Sequence, residues 1–84
     1  MATLEEVHST VKKTVTEIIG VPEESLDAHS TLQELGMDDI QTMGLIAQLE
    51  ESFGAQCTPK PQDMDSQTVE SLTRAVFDAQ KADA

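Results

Sequence analysis

The chain has 84 residues, room for one small domain with a modest core, and 38% of them are apolar with only two aromatics, Phe53 and Phe77. Sixteen acidic residues against five basic ones give a formal net charge of −11, which excludes phosphate-neutralising recognition of DNA or RNA and disfavours anionic membranes. The single cysteine, Cys57, excludes an internal disulfide.

A core without Trp or Tyr must be built from Leu, Ile, Val, Met and Ala. That favours packed helices. Leu4, Val7, Val11, Val15 and Ile18 recur at steps of three and four, one face of an α-helix. Thr3 followed by Glu6 fits a capping box, and Gly20 suits the helix end. The first helix is predicted over residues 4–19. The next stretch, VPEESLDAHSTLQELGM, carries Pro22, Gly36 and many polar residues, so it reads as a long loop. Loops of this length in compact domains usually serve a function or mark a mistaken assignment. Leu26, Leu32 and Leu35 are expected to pin it to the bundle, with a helical turn near residues 30–35.

The second helix is predicted over residues 38–53. Asp38 and Gln41 form another capping box, and Gly54 ends the helix. Leu45, Ile46, Leu49 and Phe53 make its inward face. Ile40, Met43 and Ala47 form a second apolar stripe, displaced around the helix and flanked by Glu50 and Glu51. A helix apolar on two sides is either deeply buried or offers one side to a partner. Deep burial of a whole helix is hard to achieve in so small a domain. Gly44, mid-helix, costs roughly 1 kcal/mol against Ala. It is either tolerated drift or a point of close approach for another surface. After CTPKPQDMD, with its prolines, a short helix is expected near residues 62–65. Ser66 is a candidate cap for a last helix over residues 67–79, with Val69, Leu72, Val76 and Ala79 buried and the tail QKADA frayed. The expected architecture is all-α: a single-domain bundle of three long helices and one short one.

Autonomous catalysis has little support. DMDSQTVESLTR has Asp at the first and third positions of a calcium loop, but Thr68 and Arg74 stand where Gly and Glu are required. His8, His29 and Cys57 are scattered and lack metal-ligand spacing. The adjacent carboxylates Asp38 and Asp39 are better explained by the helix N-terminal dipole than by acid–base chemistry. No basic residue lies between Lys13 and Lys60, an interval holding nine carboxylates. Partners with Lys and Arg patches are expected; simple solubility is the bland alternative. The N-terminal MATLEEVHST has neither a basic segment nor an apolar run, and no apolar stretch is long enough to span a bilayer. A soluble, cytoplasmic protein is expected.

The stretch LGMDDIQTMGLIAQLEESFG resembles the central segment of acyl carrier proteins and related carrier domains. In that family Leu-Gly-x-Asp-Ser-Leu/Ile opens the second helix, which ends in Leu-Glu-Glu-x-Phe. The matching residues are Leu35, Gly36, Asp38 and Ile40, then Leu49, Glu50, Glu51 and Phe53. Length, acidity, the long first loop and the four-helix layout agree. The resemblance implies a non-enzymatic monomeric carrier whose serine receives 4′-phosphopantetheine and bears acyl groups as thioesters, in polyketide or fatty acid biosynthesis. The aligned position here is Asp39. A carboxylate is not the hydroxyl that the transfer requires, so the group is not expected to attach. The Thr42 hydroxyl, a turn further in, is a poor substitute. Under the resemblance Asp38 caps the helix and flanks the site. Ile40, Met43, Gly44, Ala47, Glu50 and Glu51 form the surface read by basic patches of synthases, acyltransferases and phosphopantetheinyl transferase. Asp39 is then a deliberate Ser-to-Asp change, a natural loss of the arm in an interaction module, or a sign that the resemblance is fortuitous.

Overall fold

The computed structural model describes residues 2–54 and 58–83. Among these, the order is α1 (Leu4–Ile19), a 3-10 turn (Glu23–Ser25), α2 (Asp39–Phe53), a second 3-10 turn (Pro61–Asp63) and α3 (Val69–Asp83). Among the described residues the only pairing of extended backbone is an isolated bridge between Thr31 and Thr68.

α1 begins and ends where its sequence predicts. The Thr3 hydroxyl accepts the Glu6 N–H and the Glu6 carboxylate accepts the Thr3 N–H, satisfying donors that a helix start leaves orphaned. The bond from the Thr3 N–H, and the Thr3 hydroxyl beside it, favour the charged form of Glu6, holding its carboxyl below the usual range. Gly20 takes the left-handed conformation (φ 76°, ψ 34°) that ends the helix. Val7, Val11 and Val15 are fully buried. Leu4, placed on the same stripe by its spacing, is exposed, and Ile18 is only half-buried. Thr14 and Thr16 are buried instead. Their hydroxyls donate to the carbonyls of Thr10 and Lys13, which removes the cost of burying them.

Residues 20–38 join α1 to α2 and are stitched to the start of α3. The Leu32 N–H donates to the Gln67 carbonyl at 2.8 Å and the Glu70 N–H to the Ala28 carbonyl at 3.3 Å. Leu32 is buried with them, while Leu26 and Leu35 pack partly against the core. The turn expected near residues 30–35 closes with the Leu35 N–H on the Thr31 carbonyl at 3.0 Å. Asp27 accepts from the His29 N–H and the Ser30 hydroxyl, and both bonds lower its pKa.

Several boundaries differ from expectation. α2 begins at Asp39, with Asp38 as its N-cap. The short helix expected at 62–65 is a single 3-10 turn, closed by the Asp63 N–H on the Lys60 carbonyl at 3.0 Å. Prolines at 59 and 61 withhold the N–H groups a helix would need there. The chain then drops Met64 into the core, fully buried. α3 starts at Val69, capped by Thr68 rather than Ser66: the Thr68 hydroxyl accepts the Ser71 N–H and the Ser71 hydroxyl accepts the Thr68 N–H. Its end is not frayed at residue 80. Gln80 accepts the Ala2 N–H and donates to the Ala2 carbonyl, holding the last turn against the chain start. One aliphatic cluster results, with Val7, Val11 and Val15 of α1 against Leu45 and Leu49 of α2 and Val69, Leu72 and Val76 of α3.

Candidate functional site

The start of α2 is built by a reciprocal cap. The Asp38 carboxylate accepts the Gln41 N–H at 2.7 Å, and the Gln41 side-chain oxygen accepts the Asp38 N–H at 3.1 Å. This places Asp39 in the first turn, beside the positive end of the helix dipole, where a carboxylate is stabilising. Both aspartates are exposed.

Beyond this turn the two apolar stripes of α2 separate cleanly. Leu45, Ile46 and Leu49 are buried. Ile40 is 83% exposed and Met43 57%. Ala47, Glu50 and Glu51 are exposed on the same side, following at helical spacing. Gly44 lies between them, and a methyl group added there would meet nothing within 4 Å. Asp39, Ile40, Met43, Gly44, Ala47, Glu50 and Glu51 therefore form one outward strip, acidic at both ends and apolar in the middle. Phe53, expected to face inward, is only partly buried.

The hydroxyl nearest to Asp39 along this helix is spent. Thr42 is buried, and its Oγ1 donates to the Asp38 carbonyl at 2.9 Å. Position 39 offers a carboxylate and position 42 an enclosed, hydrogen-bonded hydroxyl. Neither is the exposed hydroxyl that a phosphodiester linkage requires.

Nothing in their spacing groups His8 with His29. The fold brings both, with Arg74, to a cleft of about 540 Å³ between the first turns of α1 and α3, lined also by Leu4, Glu5, Glu70 and Ser71. His29 Nδ1 lies 3.1 Å from Glu70 Oε2. No residue of α2 lines this cleft. Among the described residues no group of three His, Cys, Asp or Glu side chains is placed to hold a metal ion, the Asp63–Asp65 stretch included. Cys57 lies outside the described residues. Among the described residues no helix is long and apolar enough to cross a membrane.

An acidic module, helical among the described residues, with an exposed, capped second-helix start and an outward apolar strip has the form expected of a carrier domain. A family model described as a phosphopantetheine attachment site matches residues 9–76, and the chain belongs to that family. It is 39% identical over 54 residues to the acyl carrier protein of Rhodopseudomonas palustris (strain TIE-1), covering 63% of this chain and 68% of that one. The acyl carrier protein of Bradyrhizobium sp. (strain ORS 278) is matched to the same extent. Polyketide synthase PksL of Bacillus subtilis (strain 168) is 30% identical over 77 residues, which is 92% of this chain and 2% of the synthase. No solved structure is matched. The family carries 4′-phosphopantetheine, and its members are carriers, not catalysts.

Proposed function

We propose that this chain is an acyl-carrier module of polyketide or fatty acid biosynthesis, working in the cytoplasm as a monomer, whose attachment position holds Asp39 in place of serine. The carrier remains in the unmodified state, and what it retains is the docking surface. Asp38 caps α2 and flanks the attachment position. Ile40, Met43, Gly44 and Ala47 supply apolar contact, and Glu50 and Glu51 steer basic patches of synthases, acyltransferases and phosphopantetheinyl transferase onto it. The observation that carries this reading is the exposure of Ile40 and Met43 on a helix whose other face is fully packed. An isoleucine left 83% in water has no role in this chain's own core.

A second reading keeps the surface and drops the carrier history: a natural interaction module that binds basic partners with no prosthetic group. It is favoured by how well Asp39 suits its place, since a first-turn carboxylate stabilises the helix start.

Incubation with coenzyme A and a promiscuous phosphopantetheinyl transferase, read by intact mass, separates the readings. The chain gains no phosphopantetheine, and the Asp39→Ser variant is fully converted. An Asp39→Ser variant that stays unmodified while folded overturns the carrier reading and leaves the interaction module.

A further inference from the structure

The last turn of α1 leaves carbonyls without a backbone partner, and at Ile18 the sequence ensures it. The N–H four residues after Ile18 would be that of residue 22, which is proline. The Gly20 and Val21 N–H groups both turn back to the Thr16 carbonyl, at 2.8 and 3.2 Å, so neither serves Ile18. Gln41 Nε2 fills the gap, donating to the Ile18 carbonyl at 3.3 Å. The same side chain accepts the Asp38 N–H through its oxygen. Among the described residues this is the hydrogen bond that joins α1 to α2.

We infer that Gln41 is a positioning residue that fixes the start of α2, and with it Asp39 and Ile40, to the end of α1. A glutamine is one of the few side chains able to hold both ends, because the cap needs an acceptor and the orphaned carbonyl needs a donor. Glutamate would complete the cap but meet the negative end of the α1 dipole with a second negative charge. Lysine would reach the carbonyl but leave the Asp38 N–H without its side-chain acceptor. Packing of the aliphatic interior is non-directional. The Gln41 bond adds a directional contact at the end of α2 that carries Asp39 and Ile40. The significance for docking rests on the function proposed above; the latch itself does not.

The two substitutions divide the side chain's two bonds. In Gln41→Glu, amide exchange at Gly20 and Val21 is expected to rise about 5-fold, the loss of one hydrogen bond. Exchange at Asp38 stays within about twofold, because a glutamate oxygen still accepts its N–H. In Gln41→Lys the order reverses, with Asp38 faster and Gly20 and Val21 held. Exchange at Val11 and Val76 in the core is unchanged in both. In the Asp39→Ser background, loading by phosphopantetheinyl transferase is expected to lose about 5-fold in kcat in Gln41→Glu with little change in KM, since the docking side chains all remain. A general loss of stability would instead move every amide together. Equal exchange at Gly20 and Val21 in wild type and Gln41→Glu overturns the latch. An Asp39→Ser variant that cannot be loaded overturns the carrier reading and leaves the exchange result standing on its own.

Discussion

Ile40 and Leu45 stand five residues apart on α2, and their truncation to alanine has opposite consequences. Leu45 is fully buried, so Leu45→Ala removes packed methyl groups and leaves a cavity, at a cost of about 2–5 kcal/mol. In a domain of this size each kcal/mol shifts the melting temperature by roughly 4–8 °C, so a fall of at least about 8 °C is expected. Ile40 is 83% exposed. Scaled to the small part of the side chain that is covered, Ile40→Ala costs under about 1 kcal/mol, and the better helix propensity of alanine offsets roughly 0.4 kcal/mol of that. Its melting temperature is expected to stay within about 3 °C of wild type. Binding to phosphopantetheinyl transferase reverses the order, with Ile40→Ala weakened roughly 5- to 30-fold if it is an interface anchor of about 1–2 kcal/mol. Thermal melts followed by far-ultraviolet circular dichroism, with guanidinium titration for the free energies, measure the first quantity, and calorimetric titration the second. An Ile40→Ala protein that loses 2 kcal/mol or more would show that the outward strip is part of the core, and the division of α2 into two faces would be wrong.

Gly44→Ala is expected to stabilise the fold by about 0.5–1 kcal/mol, because the added methyl meets nothing within 4 Å; a weakened partner affinity in the same variant marks Gly44 as a point of close approach. Asp27 has a lowered pKa because it accepts from His29 and Ser30, so its contribution is present above the ordinary carboxylate range and lost as pH falls through its folded pKa. Asp27→Ala therefore narrows the stability gap between pH 7 and pH 3, as read from urea midpoints at the two pH values; an unchanged gap refutes the assignment. Reversing Glu50 and Glu51 to Lys in the Asp39→Ser background is expected to slow loading severalfold at low salt, with the difference shrinking as salt rises; equal kinetics at low salt count against these residues as steering groups.

What the sequence discloses here is what local chemistry controls. The caps Thr3–Glu6 and Asp38–Gln41 are legible because each is a short-range pair with a fixed offset, and both form as read. The outward strip of α2 is legible because its apolar residues exceed what one helical face can bury. The start of α3 is ambiguous in the sequence because Ser66 and Thr68 are both plausible caps. The choice falls to Thr68 with the pairing of Thr31 and Leu32 to residues 67 and 68, contacts more than thirty residues apart. Burial of Thr14 and Thr16 is invisible in a hydropathy pattern, since helix back-bonding hides their hydroxyls. The second bond of Gln41 is missed for the same reason as the His8–His29 cleft: the residues meet only after the helices pack. Its one sequence trace is Pro22, which announces an unpaired carbonyl at Ile18 without naming the donor.

The central claim is that the docking surface survives while the attachment hydroxyl is absent, and competition tests it most directly. The unmodified chain is added to a loading reaction in which phosphopantetheinyl transferase acts on the Asp39→Ser variant. The account predicts competitive inhibition, with an inhibition constant within a few-fold of the variant's KM. Undiminished loading at a large excess of the unmodified chain would contradict it.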